Sequence, residues 1–130
     1  MCILKNLVSD LLFSINFEHN IDLEFYCPPL KLDLNIAVPL GILVNEIITN
    51  AIKYGIVDND DPQIRVILNE YDTGKYLLEI GDNGNGIPNF NLLDSQETLG
   101  INLICELASQ LDGQIDIDNS RKGVNYQLSF

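Results

Sequence analysis

The feature that most restricts what this chain can fold into is an apolar stripe of helical period. Leu40, Leu43, Val44, Ile47, Ile48 and Ala51 fall on one side of a helix at about 100° per residue. That side is a core face. The segments able to cover it have period two instead. Ile64, Val66 and Leu68 alternate with Arg65 and Asn69, and Tyr76, Leu78 and Ile80 alternate with Lys75 and Glu79, so both read as strands despite irregularities at Ile67 and Leu77. Asp72-Thr73-Gly74 supplies the turn that makes them a hairpin. A second hairpin pairs 114–117 with 124–130, where Val124, Tyr126, Leu128 and Phe130 form one apolar row.

The remaining segments follow from period and punctuation. Leu4, Leu7, Val8, Leu11 and Leu12 predict an amphipathic helix over 2–15, and 21–27 alternates as a strand that Pro28 and Pro29 end. The central helix should follow Pro39 and run to about Tyr54, with Gly55 as its left-handed closing residue. The Asp/Asn-rich stretch 57–62 reads as a loop. A last helix should run from about Gly100 to Leu111, with Gly113 beyond its end. Helices interleaved with antiparallel hairpins, each apolar mainly on one side, predict an α+β two-layer sandwich. Its sheet would be mixed and mostly antiparallel, with helices on one face.

A chain of 130 residues supports one core, so a single domain is expected, with 1–19 as an N-terminal helix and linker and 20–130 as the core. The net charge of −12 disfavours nucleic acid and anionic lipid as partners. A phosphorylated ligand would then need local donors and a metal. Cys2, Cys27 and Cys105 are odd in number and lack Cys-x-x-Cys spacing, which predicts buried, reduced thiols and no zinc site. No uninterrupted apolar run approaches the length of a membrane span, and the N-terminus lacks signal-peptide character, so the expectation is a cytoplasmic domain without direct membrane insertion. His19, between Glu18 and Asn20, reads as a surface residue and not as a phosphoacceptor.

Three groups of residues carry chemistry. Glu46, Asn50 and Lys53 form a stripe beside the core face of the central helix, placing a carboxylate, an amide and an ammonium on one side. Taken alone, such a stripe is also what a solvated helix face looks like. Asp82-Asn83-Gly84-Asn85-Gly86-Ile87-Pro88 directly follows a strand; its glycines let backbone approach a flat ligand, and Asp82 can accept from an exocyclic amine. Glu97-Thr98-Leu99-Gly100 leads into a helix, whose free N–H groups favour a phosphate.

Order and spacing together are more specific than any part. Asn45-Glu46-Ile47-Ile48-Thr49-Asn50-Ala51-Ile52-Lys53-Tyr54 resembles the N box of the ATPase superfamily shared by histidine kinases, gyrase-type topoisomerases and mismatch-repair ATPases. Asp82-Asn83-Gly84-Asn85-Gly86 is similar to its Asp-x-Gly-x-Gly box, and Thr98-Leu99-Gly100-Ile101-Asn102-Leu103 to its second glycine box. Gln110-Leu111-Asp112-Gly113 and Gly123-Val124-Asn125-Tyr126 match the closing helix and hairpin, so the resemblance runs from Ile21 onward. Lys53-Tyr54 and Pro39-Leu40-Gly41 look like histidine kinases with a short lid, here 89–99. The second box keeps only Gly100, and the common Gly-Thr of the closing hairpin appears as Gly123-Val124, which removes a hydroxyl near the adenine site.

The resemblance implies a Bergerat-type ATP-binding fold with ATP and Mg²⁺ as cofactors. It further implies that Asp82 binds the adenine amino group, that Asn50 ligates Mg²⁺, that Glu46 is a base or orienting carboxylate, and that Lys53 reaches the phosphates. Tyr54, Gly84, Gly86, Ile87, Thr98, Leu99 and Gly100 would line or shape the cleft and lid. The γ-phosphate would pass to a histidine on a separate dimerisation and phosphotransfer domain, with a response regulator further downstream. Other readings are an anti-sigma-type serine kinase, a nucleotide-binding regulatory module without transfer, and an ATP clamp of a topoisomerase or repair protein.

Overall fold

The computed structural model describes residues 6, 10, 21–30, 32–55, 61–84, 95–118 and 123–130, with the backbone alone at 53–55 and 95–99. Of the expected helix over 2–15, only Asn6 and Asp10 are described, both helical and exposed. His19 and 57–60 lie outside the described residues. The elements are β1 (Asp22–Tyr26), α1 (Leu34–Gly55), β2 (Gln63–Asp72), β3 (Lys75–Asp82), α2 (Ser95–Gln110), β4 (Gln114–Asp118) and β5 (Asn125–Ser129).

The strands form one five-stranded sheet in the order β1-β2-β3-β5-β4. β1 runs parallel to β2, and every other pair is antiparallel. The fold is therefore the expected mixed, mostly antiparallel α+β sandwich. The core is built from the predicted stripes: Leu40, Leu43, Val44, Ile47, Ile48 and Ala51 of α1 pack with the inner rows Ile64–Val66–Leu68, Leu78–Ile80 and Val124–Tyr126–Leu128, and with Ile104, Leu107 and Ala108 of α2. Ile67 and Leu77, the two breaks in alternation, are half-buried on the opposite side of the sheet, where they pair with Glu79 and Asn69.

Several boundaries differ from expectation. α1 begins at Leu34 and carries Pro39 inside it. Asp33 opens the helix, its carbonyl accepting from Ile36 N at 2.9 Å and Ala37 N at 2.8 Å. Pro39 is the sixth residue of the helix, where it keeps a helical φ but cannot donate to the Asn35 carbonyl, so α1 gives up one hydrogen bond in its second turn. Leu34–Ile52 also meets the length and mean hydropathy of a membrane span, 1.4 over 19 residues, although polar residues interrupt it. Its apolar stripe is committed to the sheet, which identifies it as a core helix.

α2 starts at Ser95, not Gly100, and ends at Gln110. Its left-handed closing residue is Asp112 (φ 53°), not Gly113. Gly113 N donates to Ala108 O at 2.9 Å and Asp112 N to Ser109 O at 3.0 Å, the paired bonds of a Schellman ending. Gly113 is instead required by packing, since a Cβ there would lie 2.8 Å from Ser129 O. Cys105 is a free thiol on the exposed face of α2, and Cys27 is disulfide-bonded. The expectation of buried, reduced thiols fails at both, because an odd count leaves room for one pair and does not set which face a helical cysteine occupies.

Candidate functional site

Asp82 ends β3 on the inner face, two residues beyond Ile80 and therefore turned toward α1. Its surroundings hold it tightly. Asp82 N donates to Val124 O at 3.2 Å, and its Oδ1 accepts from Gly84 N at 2.9 Å. Burial raises the carboxyl pKa above the usual aspartate range, partly offset by the N–H groups of Gly84 and Val124. Gly123, at φ 82°, lies so close that a Cβ would collide with the Asp82 carbonyl and sit 2.7 Å from Oδ1.

Asn83 fixes the next step of the chain. Its N donates to Gln63 O at 3.2 Å, its Oδ1 accepts from Gln63 N at 2.8 Å, and its Nδ2 donates to Asp61 O at 2.8 Å. The start of the glycine loop is thus joined to the start of β2. Gly84 is buried, as a residue under a cleft floor should be. Gly86 and Ile87 lie outside the described residues.

From the helical side, Glu46 and Asn50 stand one turn apart on α1, both half-buried at the margin of the core stripe. Lys53 and Tyr54 follow on the same helix, with side chains outside the described residues. A Cβ on Gly100 would be 3.8 Å from Glu46 Oε2, so α2 passes beside this carboxylate at its one glycine. Thr98 and Leu99 belong to the helical backbone two residues and one residue before that point.

The early start of α2 corrects one site expectation. The free N–H groups of a helix are those of its first turn, here around 95–97, so Thr98, Leu99 and Gly100 are not its N-terminal anion site. The last part of the expected lid, 95–99, is already helix. Asp94 and Glu97 carry the spacing of a capping box and were the available signal in the sequence.

Tyr126 is the residue that sequence reasoning placed only in the core. Its ring is buried in the inner row, opposite Ile80, yet among the described residues the hydroxyl has no hydrogen-bond partner. Burial pushes its pKa up to about 12; the Asn50 side chain lowers it and the Asp82 charge raises it. Asn50 is thus a close polar neighbour of the hydroxyl. A phenol in a row otherwise made of Val, Leu and Phe was the signal for it. The hydroxyl stays neutral across the physiological range, able both to donate and to accept.

A depression of about 470 Å³ lies on the other side of the sheet, among the outward side chains of Asp22, Glu24, Arg65, Glu79, Asp116 and Gln127. Its acidic lining repels phosphates, so it is not a rival site for a phosphorylated ligand. The inner-face margin offers instead a desolvated carboxylate for an amine, an amide oxygen suited to a hard cation, and a second carboxylate.

The family model described as histidine kinase-, DNA gyrase B-, and HSP90-like ATPase matches residues 35–130. The chain belongs to that ATPase family. No curated protein matches it. Among solved structures, this ATPase domain is similar to the histidine kinase domain of the Erythrobacter litoralis blue-light activated histidine kinase, with a TM-score of 0.84 and 18% identity over 98% of this chain and 58% of that one. It is also similar to the mycobacterial sensor histidine kinase MprB, at 0.72 and 20% over 97% and 92%. A third likeness is to full-length ShkA in complex with AMPPNP, at 0.73 and 16% over 99% and 30%. The domain spans little more than half of the first of these, and at such identities the likeness is one of fold.

Proposed function

We propose that this ATPase-family domain binds Mg·ATP and passes the γ-phosphate to a histidine on a separate dimerisation and phosphotransfer domain, in two-component signalling. The observation that carries the reading is the convergence of Asp82, Asn50, Glu46 and Gly100, from separate segments, on one margin of the helix–sheet interface. Asp82 would read the adenine amine. Its partial burial suits a hydrogen bond to a neutral donor, since less competing water is present.

The donor set fits a magnesium ion. No group of His, Cys, Asp or Glu among the described residues could hold a metal by itself. Mg²⁺ rarely uses such a cage; it keeps waters and takes one or two protein oxygens together with substrate phosphates. The Asn50 Oδ1 is the oxygen this site offers. When bound, the ion would neutralise charge spread over the phosphates. Glu46, one turn back, would accept or orient the proton of an incoming histidine nitrogen. Lys53 would add a local positive charge in a chain of net charge −12.

The test is paired. Glu46→Gln should keep nucleotide affinity and slow single-turnover transfer to an added histidine-containing domain by about 10²- to 10⁴-fold. Asn50→Ala should weaken binding only when Mg²⁺ is present and reduce transfer as well. Wild-type transfer by the first variant together with normal Mg·ATP binding by the second would reduce the stripe to a solvated helix face.

A further inference from the structure

We propose that Tyr126 is a positioning residue whose hydroxyl takes a hydrogen bond from the Asn50 amide and so turns the amide oxygen outward, toward the ligand. This rests on the nucleotide-binding reading of the same site. An asparagine amide has two nearly isosteric ends, and packing alone does not choose between them. A metal or a phosphate-bound water requires the oxygen. Only a neighbour that accepts from the nitrogen can enforce that choice.

Among the described residues, the group placed to do so is Tyr126. Its ring is fixed in the inner row of β5, 3% exposed, and its hydroxyl is buried without a partner. The polar groups that act on it are Asn50, from α1, and Asp82, from β3. A lone buried hydroxyl is costly, and Phe would fill the same space in this row without that cost. A hydroxyl retained there against its own stability fits a role that is completed when the site is filled. Accepting from Asn50 leaves the O–H free to donate toward Asp82, by itself or through a water, which would join the metal end of the site to the base end.

Tyr126→Phe removes the hydroxyl and keeps the ring. The intact domain and this variant would be compared by calorimetry with ADP in excess EDTA, with ADP at saturating Mg²⁺, and by thermal melting without ligand. The expected result is an unchanged affinity for ADP in EDTA, a loss of roughly 3- to 10-fold confined to Mg·ADP, as befits one hydrogen bond, and an unliganded Tm equal to or above wild type. Asn50→Ala should lose the same Mg²⁺-dependent gain, and adding Tyr126→Phe to it should cost nothing more. Equal Mg²⁺ gain in Tyr126→Phe and wild type overturns the positioning role, as does an equal loss with and without Mg²⁺. A wild-type domain that gains nothing from Mg²⁺ overturns the parent reading first, and this one with it.

Discussion

At the scale of single residues, Asp82 carries a conflict between stability and binding. Burial raises its folded-state pKa above the unfolded value, so the native state holds the proton more tightly than the unfolded chain does. Its stabilising contribution is therefore present below the unfolded pKa and falls as pH rises through the interval up to the folded one; at neutral pH the desolvation cost is in full force. Asp82→Asn removes that cost and keeps an oxygen able to accept from Gly84 N. Thermal melts of the unliganded variant should exceed wild type at pH 7, with the advantage disappearing on acidification below the ordinary aspartate range. The same change should weaken adenine nucleotide binding by about 1–3 kcal/mol, because an amine donor loses a charged acceptor. Equal affinity in calorimetry would remove Asp82 from the base site. Gly123 is the other decisive single residue. Gly123→Ala forces a Cβ into the Asp82 carbonyl at a backbone angle that side chains resist. It should cost about 1–3 kcal/mol in denaturant unfolding and lower nucleotide affinity too, as the carboxylate is displaced.

At the scale of elements, the two helices meet the site differently. α1 supplies Glu46 and Asn50 from the edge of its core stripe, so their direction is set by how Leu43, Ile47 and Ala51 seat on the sheet. α2 supplies a close approach through Gly100, well inside the helix. Gly100→Ala should be accepted, because its Cβ meets Glu46 Oε2 only at van der Waals distance, and should stabilise the domain by about 0.5–1 kcal/mol through helix propensity. Gly100→Leu carries bulk into Glu46, and should leave nucleotide binding in EDTA near wild type while reducing transfer. A leucine variant with full transfer would show that Glu46 and α2 move apart readily. The sequence made both helices legible as elements, through the 40–51 stripe and the 100–111 segment with Gly113 beyond its end, but misplaced both N-termini. Pro39 looked like a helix start and is an early interior residue; Gly100 looked like a cap and is a contact. Asp33 opens α1 and the Asp94–Glu97 spacing marks the start of α2, so Pro39 and Gly100 are weaker punctuation than those acids.

At the scale of the whole molecule, one core both joins the two layers of the sandwich and underlies the candidate site. Ile48 is fully buried between α1 and the sheet. Ile48→Ala should cost about 2–5 kcal/mol, read as a lower urea midpoint at constant m-value. The sheet topology was foreseeable only in part, since alternation gave the two hairpins and their inner rows but could not show that β1 pairs in parallel with β2 at the sheet edge. Of the site, Asp82, Asn50 and Glu46 were visible as motif residues, whereas Asn83 acts through partners distant in sequence and the Tyr126 phenol was marked only by its place in an apolar row. Asn83 also bears on protein engineering. Because its backbone and side chain bind Gln63 and Asp61, and Gly123 presses on the residue before it, the glycine-rich segment is not an interchangeable cassette. A chimaera that imports 82–88 from a relative would inherit the motif without the strand ends it is fastened to. Exchanging it together with 61–63 and 123–125 moves the whole attachment, and that three-piece unit is the smallest one this architecture makes portable.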